Sequence, residues 1–244
     1  MKKLFSKIEK FIRLVKKSIY FAWHRHHFLI PPSAMKKYIK SFIVVLKRGN
    51  NVSNLYTNQK AYLKWIDDNK EEVTYKKFKY NPLMSFVVPV YNAPKKLLSE
   101  CIDSLLAQSY DNFEICIADD HSTSDETIET LKEYEKNKKI KVIYRKENGM
   151  ISKSSNDAIK IAKGEFIVLV DNDDTIEKDA LYYFVEALNG DKKIDLIYSD
   201  EDKIVAGGTK RFQPYFKPNF NIDLLRANNY ICHLFVVRMS IAKQ

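Results

Sequence analysis

Neither G-x-G-x-x-G nor G-x-x-x-x-G-K-[ST] occurs in the 244 residues, which argues against a dinucleotide-binding dehydrogenase and a P-loop NTPase. Phosphate, if bound, must be held by metal instead. Cysteine is scarce: Cys101, Cys116 and Cys232 are too few and too far apart for a zinc motif. Their apolar neighbours suggest reduced, partly buried thiols, which fits a cytosolic compartment. No window of about 18 or more uncharged apolar residues exists, so no transmembrane span is expected. The Lys-studded start lacks the apolar core and small-residue cleavage site of a signal peptide, so no export is expected. Internal repeats are missing. Acidic residues are almost absent from positions 1–50, which hold 13 Lys or Arg against Glu9 alone. That stretch carries +12 and the remainder −2 of the formal +10. What the chain does have is 45% hydrophobic residues, enough for one large α/β domain plus an extension, and too many for disorder throughout.

Between Lys2 and Trp23 the apolar residues Leu4, Phe5, Ile8, Phe11, Ile12, Val15, Ile19 and Trp23 recur at spacings of three and four. Lys2, Lys3, Lys7, Lys10, Arg13, Lys16 and Lys17 occupy much of the remaining surface. The pattern predicts a basic amphipathic helix within residues 1–30. Such a helix suits the headgroup layer of an anionic membrane; packing on its own domain or on a second copy is the alternative, and nucleic acid is disfavoured. His24 to His27, HRHH, have no distant ligand at metal spacing and read as a solvated helix end. Pro31-Pro32 ends the element. Residues 31–82 read as a partly helical arm to which no chemistry is assigned, and Tyr80-Asn81-Pro82 marks the boundary of a domain over 83–244.

That domain is organised around Gly164 to Asp174, GEFIVLVDNDD. Phe166 to Val170 is a β-branched apolar run, as expected of a strand buried on both faces of a parallel sheet. Asp171, Asn172, Asp173 and Asp174 follow at once, where the carboxyl end of a strand would meet a ligand. So much negative charge at one spot is costly without a cation, and hard divalent metals take carboxylate oxygens together with substrate phosphates. The bland alternative is an acidic turn in which Asp174 or Thr175 caps a helix beginning near Lys178. Apolar runs at 85–90, 113–118, 141–144 and 195–198 alternate with helical patterns at 97–108, 124–136, 152–162 and 179–188. The alternation implies βαβ crossovers, hence a mainly parallel, Rossmann-type α/β sheet flanked by helices, with the N-terminal helical extension outside it. Right-handed crossovers bring three polar strand ends to one edge: Pro89-Val90-Tyr91-Asn92, Asp119-Asp120-His121-Ser122 and Asp171 to Asp174.

The ordered series SFVVPVYN, ICIADDHST and ENGMISKSSNDAIKIAKGEFIVLVDNDD resembles glycosyltransferase family 2, the inverting nucleotide-sugar transferases with the GT-A fold, over about residues 84–240. YSDEDKIVAGG and QPYFKPNFNIDLLRANNYICHLFVVR look most like the bacterial enzymes that build O-antigen, rhamnan or capsular polysaccharide. The resemblance implies that Pro89, Tyr91 and Asn92 shape the loop around the nucleotide, and that Asp119 or Asp120 accepts a hydrogen bond from the base. It puts Asp171 near the ribose and Asp173, with Asp171, at the Mg²⁺ or Mn²⁺ that bridges the diphosphate, with Asp174 in support. Structural alternatives stand beside these roles: Asp120 as a helix cap, and Asp200 and Asp202 as solvated turn residues rather than lining of the donor pocket. His121 and His233 read as local hydrogen-bonding residues rather than catalysts.

The implied reaction is metal-dependent transfer of a hexosyl-type sugar from a UDP- or dTDP-type donor to a polysaccharide or lipid-linked glycan, at the cytoplasmic face of the cell membrane. One departure from the family pattern stands out. An acceptor-side segment with a carboxylate base, commonly in a motif such as QDYDL, is expected after His233 and is not found. A general base contributes about 10²–10⁴-fold, so the chain is expected to bind donor better than it transfers sugar, and a catalytically incomplete donor-binding or partner subunit is the alternative function. A nucleotidyltransferase is disfavoured, because the first strand lacks a glycine-rich loop bearing Arg or Lys. On this reading Phe235, Val236 and Val237 should form an uncovered apolar patch that favours self-association or a partner.

The N-terminal pattern makes a testable prediction. Each near-surface lysine or arginine adds about 1 kcal/mol of attraction to an anionic membrane, and salt screens it. Deleting residues 2–30 should release the protein from vesicles containing anionic lipid in a sedimentation assay. Equal sedimentation of both forms would assign the helix to protein packing.

Overall fold

The computed structural model describes residues 58–244 apart from 71, 206, 207 and 209. The expected helix within 1–30, its HRHH end and the arm up to residue 57 lie outside the described residues. In chain order the elements are α1 (Gln59–Asp68), β1 (Met84–Val90), α2 (Lys95–Leu106), β2 (Phe113–Asp119), α3 (Asp125–Tyr134), β3 (Ile140–Tyr144), α4 (Met150–Ile161) and β4 (Phe166–Leu169). They continue with α5 (Ala180–Gly190), β5 (Leu196–Tyr198), β6 (Glu201–Ile204), β7 (Arg211–Tyr215), α6 (Ile222–Ala227), β8 (Phe235–Arg238) and α7 (Met239–Ala242).

The apolar runs form the sheet because both of their faces are covered. Met84, Phe86, Val88 and Val90 of β1 join Ile115, Ile117 and Val168 on one face, beneath Leu98, Ile102 and Leu105 of α2 and Leu181, Val185 and Leu188 of α5. Val87, Cys116, Ala118 and Ile167 form the other face, where Ala158 of α4 packs. Each large side chain fully buried in this way contributes about 1.5–3 kcal/mol. Burial also pushes the Cys101 and Cys116 thiols up to about 12, and both are free and inert by that measure.

The six-stranded sheet has the order β3-β2-β1-β4-β8-β5. The first four strands are mutually parallel, with Val90 beside Asp119 and Val87 beside Leu169. After β3 the chain crosses back past β2 and β1, so the strand order reverses between β1 and β4, and the crevice at such a reversal is where open α/β sheets bind ligands.

β8 runs antiparallel to both β4 and β5, so the organising strand β4 has one parallel and one antiparallel neighbour. This corrects the expectation of an apolar patch at its C-terminal strands: β8 is paired on both edges, Val236 and Val237 are buried, and Phe235 packs against the second core cluster. The edge strand on that side of the sheet is β5, whose Leu196 is exposed. Beyond β5, the stretch that reads as a turn is a two-stranded ribbon of β6 and β7.

Residues 58–82, read from sequence as an arm, pack on this body. Tyr75 meets the Tyr182 ring edge-on at 5.3 Å, and Asn189 brackets Tyr80, accepting from its N–H at 3.0 Å and donating to its carbonyl at 2.8 Å. Gln108, just after α2, serves the start of α5: its Oε1 accepts from Leu181 N–H at 3.0 Å. The acidic-turn alternative therefore fails. α5 begins at Ala180 with Asp179 in the N-cap position and no side-chain cap, and neither Asp174 nor Thr175 caps it.

One buried polar network fastens the amino ends of the central strands. Glu114 accepts from Ser85 Oγ at 2.6 Å, from the Lys163 N–H at 2.5 Å and from Lys141, while Ser85 Oγ accepts from Gly164 N–H at 2.8 Å. Gly164 has no room for a side chain, since a Cβ would collide with Ser85 and the Leu83 carbonyl. Burial works to raise the Glu114 pKa, but the hydrogen bonds from Lys141, Ser85 and Lys163 outweigh it and hold the group below its ordinary 4.5. A carboxylate depressed in the folded state contributes stability above its unfolded pKa and loses it as pH falls through the folded value. Glu114→Gln should cost roughly 1–3 kcal/mol at neutral pH and flatten the loss of stability below the ordinary glutamate range. Urea titrations from pH 3 to 7 check this; parallel curves for the two proteins would contradict it.

Candidate active site

The carboxyl ends of β1, β2 and β4 meet at the reversal of strand order. There Asn172 Nδ2 donates to the Pro89 carbonyl at 2.9 Å, joining the turn after β4 to the end of β1. The turn closes through Asp174 N–H to the Asp171 carbonyl at 3.2 Å, and the Cys101 thiol meets the same carbonyl at 3.4 Å. Beside it lies a cavity of about 430 Å³ bordered by Pro89, Tyr91, Asp120, Asp171, Asn172 and Asp173. A larger hollow of about 630 Å³, between residues 75–81 and the 109–112 loop, touches none of the strand-end residues, so the chemistry goes with the smaller one.

The charged centre comes from strand direction. Because β8 pairs antiparallel with β4, Leu169 opposes Phe235, and the segment that leads into β8, with His233 in it, arrives beside the turn that follows β4. His233 Nε2 lies 3.3 Å from Asp171 Oδ2 and 3.8 Å from Asp174 Oδ2. The imidazole's hydrogen bond holds Asp171 below the usual carboxylate range, and the same bond raises His233 against the opposing effect of burial. Asp174 is pushed up, first by burial and then by Asp173, Asp171 and Glu201.

Asp171, Asp174 and His233 each offer one ligand atom, and these atoms lie within 4.8 Å of one another. Two carboxylate oxygens and an imidazole nitrogen suit a divalent cation, and the nitrogen favours Mn²⁺ over the more strictly oxygen-seeking Mg²⁺. Asp173 stands outside this cluster, exposed on the cavity wall.

The other expected residues separate into distinct settings. Asn92 sits at φ 47°, a backbone region that asparagine tolerates. It ties the first two strand ends together: its N–H donates to Ser122 Oγ at 2.8 Å, and its Oδ1 accepts from Thr123 and Ser124 N–H at 2.8 and 3.0 Å. Tyr91 is half exposed at the cavity. Asp119 is buried; Oδ2 accepts from Ser122 N–H at 3.1 Å, while Oδ1 is buried with no hydrogen-bond partner among the described residues. Asp120 is committed to Arg145 and accepts from Gly149 N–H at 2.9 Å. It thus supports the start of α4; the helix after β2 is capped by Ser124, which corrects the reading of Asp120 as its cap. His121, at φ 62°, is exposed.

Neither Asp200 nor Asp202 borders the cavity, which corrects the donor-pocket reading; Asp200 is exposed between β5 and β6, in line with a turn residue, whereas Asp202 lies in β6 and is not. Asp200 accepts from Lys217 N–H at 2.7 Å. Asp202 accepts from Tyr62 OH at 2.5 Å and pairs with Arg211 at 3.1 Å, fastening α1 to the ribbon. Sequence reasoning missed His233 as a member of the charged centre and Arg145 as the partner of Asp120. An apolar run shortly after a histidine, returning beside the organising strand, is the signal that could have found His233.

An open α/β sheet with a carboxylate cluster at the reversal of strand order puts a ligand-binding crevice at that edge. Residues 85–244 match the family described as Glycosyl transferase family 2, and the chain belongs to that family. It is 46% identical over 164 residues to the uncharacterised protein y4gI of Sinorhizobium fredii, covering 67% of this chain and 18% of y4gI. It is 33% identical over 164 residues to the O-antigen biosynthesis protein RfbC of Myxococcus xanthus, covering 67% and 13%. The crystal structure of S. aureus TarS 1–349 in complex with UDP superimposes with a TM-score of 0.54 at 26% identity, over 66% of this chain and 48% of that one. The same fragment in complex with UDP-GlcNAc gives 0.54 at 27%, over 66% and 46%. The chain thus spans under a fifth of these two relatives and about half of the TarS fragment. The fold is GT-A-like, as the resemblance implied.

The Asn92 clamp predicts a local effect. Asn92→Ala removes two acceptor bonds and leaves alanine at a positive φ, costing roughly 1–3 kcal/mol. Amide exchange at Thr123 and Ser124 should accelerate while that of β1 and β2 stays slow; unchanged exchange would contradict the clamp.

Proposed function

We propose that this chain is the donor-binding and transfer domain of an inverting, metal-dependent glycosyltransferase that moves a hexosyl-type sugar from a nucleoside diphosphate onto a cell-surface polysaccharide or lipid-linked glycan. The observation that carries this reading is the Asp171, Asp174 and His233 cluster beside the cavity. A UDP- or dTDP-type donor is supported by Asp119 Oδ1, a buried acceptor without a partner, which suits the single ring N–H of uracil or thymine. Tyr91, half exposed at the cavity, offers a ring face to the base, and Asn92 holds the two loops that enclose it.

Asp171, Asp174 and His233 would hold Mn²⁺ or Mg²⁺, and Asp173, exposed on the cavity wall, would face the bound donor. When bound, the cation supplies Lewis-acid stabilisation of charge on the diphosphate. Without it, the carboxylates would repel a diphosphate at close range; the protein's part is to hold these ligands fixed and the donor in one orientation. In an inverting transfer the acceptor oxygen bonds to the anomeric carbon from the face opposite the diphosphate. The bond to the phosphate oxygen breaks as that bond forms, and the acceptor proton passes to a base.

The O-antigen relative supports an acceptor of polysaccharide type, and the basic N-terminal sequence supports action at the inner face of the cell membrane. Calorimetry with UDP tests the site. Wild type should bind only with Mn²⁺ present, and Asp171→Asn, Asp173→Ala and His233→Ala should each lose at least about tenfold in affinity. Binding that is independent of metal and indifferent to these changes would overturn the reading.

A further inference from the structure

Lys217 lies between β7 and α6, and its side chain is only 1% exposed. Its Nζ donates to Glu201 Oε2 at 2.9 Å, to the Ile231 carbonyl at 2.6 Å and to the His233 carbonyl. Glu201, the first residue of β6, also accepts from the His233 N–H at 3.1 Å. Both polar main-chain atoms of His233 are therefore taken by the two members of one ion pair. Burying an ammonium group is expensive, and a packed apolar side chain is often the more stable occupant of such a position. What the lysine achieves here is geometric. Residues 228–234 lie outside any helix or strand, so secondary structure does not fix the peptide that carries the imidazole. The ribbon that carries Glu201 and leads into Lys217 is cross-linked by Arg211 and Asp202, and Arg211 ties it to Glu177 in the segment between β4 and α5.

We propose that Lys217 and Glu201 are positioning residues whose ion pair fixes the His233 peptide, so that the imidazole meets Asp171 and Asp174 and completes a divalent-cation site without either residue touching the cation. The proposal rests on the reading of Asp171, Asp174 and His233 as that site. Groups that orient metal ligands are worth roughly 10–100-fold in metal affinity, and here the orienting group acts on the ligand's backbone rather than on its ring.

Lys217→Met keeps most of the side-chain volume and removes the ammonium. In the metal-free full chain, the His233 ring carbon–proton NMR signal is identified by its loss in His233→Ala. Lys217→Met should move this signal toward its position in Asp171→Asn while leaving the His121 signal in place. It should also lower Mn²⁺ affinity roughly 10–100-fold, with no further loss in a His233→Ala background. Glu201→Gln, at a more exposed position, should shift the signal in the same direction by less, and it carries the test if Lys217→Met does not fold. An unmoved His233 signal in a folded variant overturns the proposal. So does Mn²⁺ affinity equal to that of a metal-binding wild type, or a further loss of affinity in the His233→Ala background. A displaced signal in a protein whose wild type binds no Mn²⁺ sustains the positioning role and overturns the cation reading instead.

Discussion

The antiparallel seating of β8 against β4 is the constraint on which the site depends. Side chains alternate along a strand with a period of two, so a slip of one residue in the Leu169 to Phe235 register would turn every β8 side chain to the opposite face. Val236 and Val237 would exchange the two core clusters into which they pack, and the segment before β8 would be displaced from the turn that carries Asp171. The burial of Val236 and Val237 on opposite faces seats β8 beside β4 and so brings the segment before it to the turn that carries Asp171. The core stabilises the site by packing, far from any ligand.

Electrostatics explains why the imidazole matters. Two like charges about 4 Å apart repel by about 4 kcal/mol at an effective dielectric of 20. Asp171, Asp173 and Asp174 follow one another on a single turn, and Asp174, the more penalised by burial, responds with a raised pKa. His233 relieves part of that repulsion at Asp171. A divalent cation would relieve more, which makes the cluster's composition intelligible as a compromise between folding and binding. The buried network at Glu114 shows the contrasting case, in which a lysine, a hydroxyl and a backbone N–H satisfy a carboxylate completely enough to hold its pKa down.

Much of the fold was legible because its signals are local. Runs such as Phe166 to Val170 and Phe113 to Ala118 carry β-branched residues without polar interruption, and the helical patterns between them require parallel crossovers. Strand direction at the end of the domain was not legible. Four residues at Phe235 to Arg238 have the same alternation whichever way they run, so the covering of β8 and the arrival of His233 at Asp171 depended on tertiary pairing. The same limit applies to single carboxylates. Asp202 follows a short strand like any turn residue, yet Tyr62 and Arg211, distant in sequence, claim it. Asp174 had the sequence position of a helix cap, but α5 starts later and takes its support from Gln108 in the loop after α2.

The claim at the centre of this account is that the return of β8 puts a histidine nitrogen and the β4 carboxylates on one cation. Pulsed electron paramagnetic resonance of Mn²⁺ bound to the protein reads that directly, through the coupling of a ligand ¹⁴N nucleus to the metal electrons. The account predicts an imidazole nitrogen coupling in the wild type that vanishes in His233→Ala and persists in His121→Ala. An all-oxygen coordination shell in the wild type, with no nitrogen coupling at any pH where Mn²⁺ binds, would contradict it.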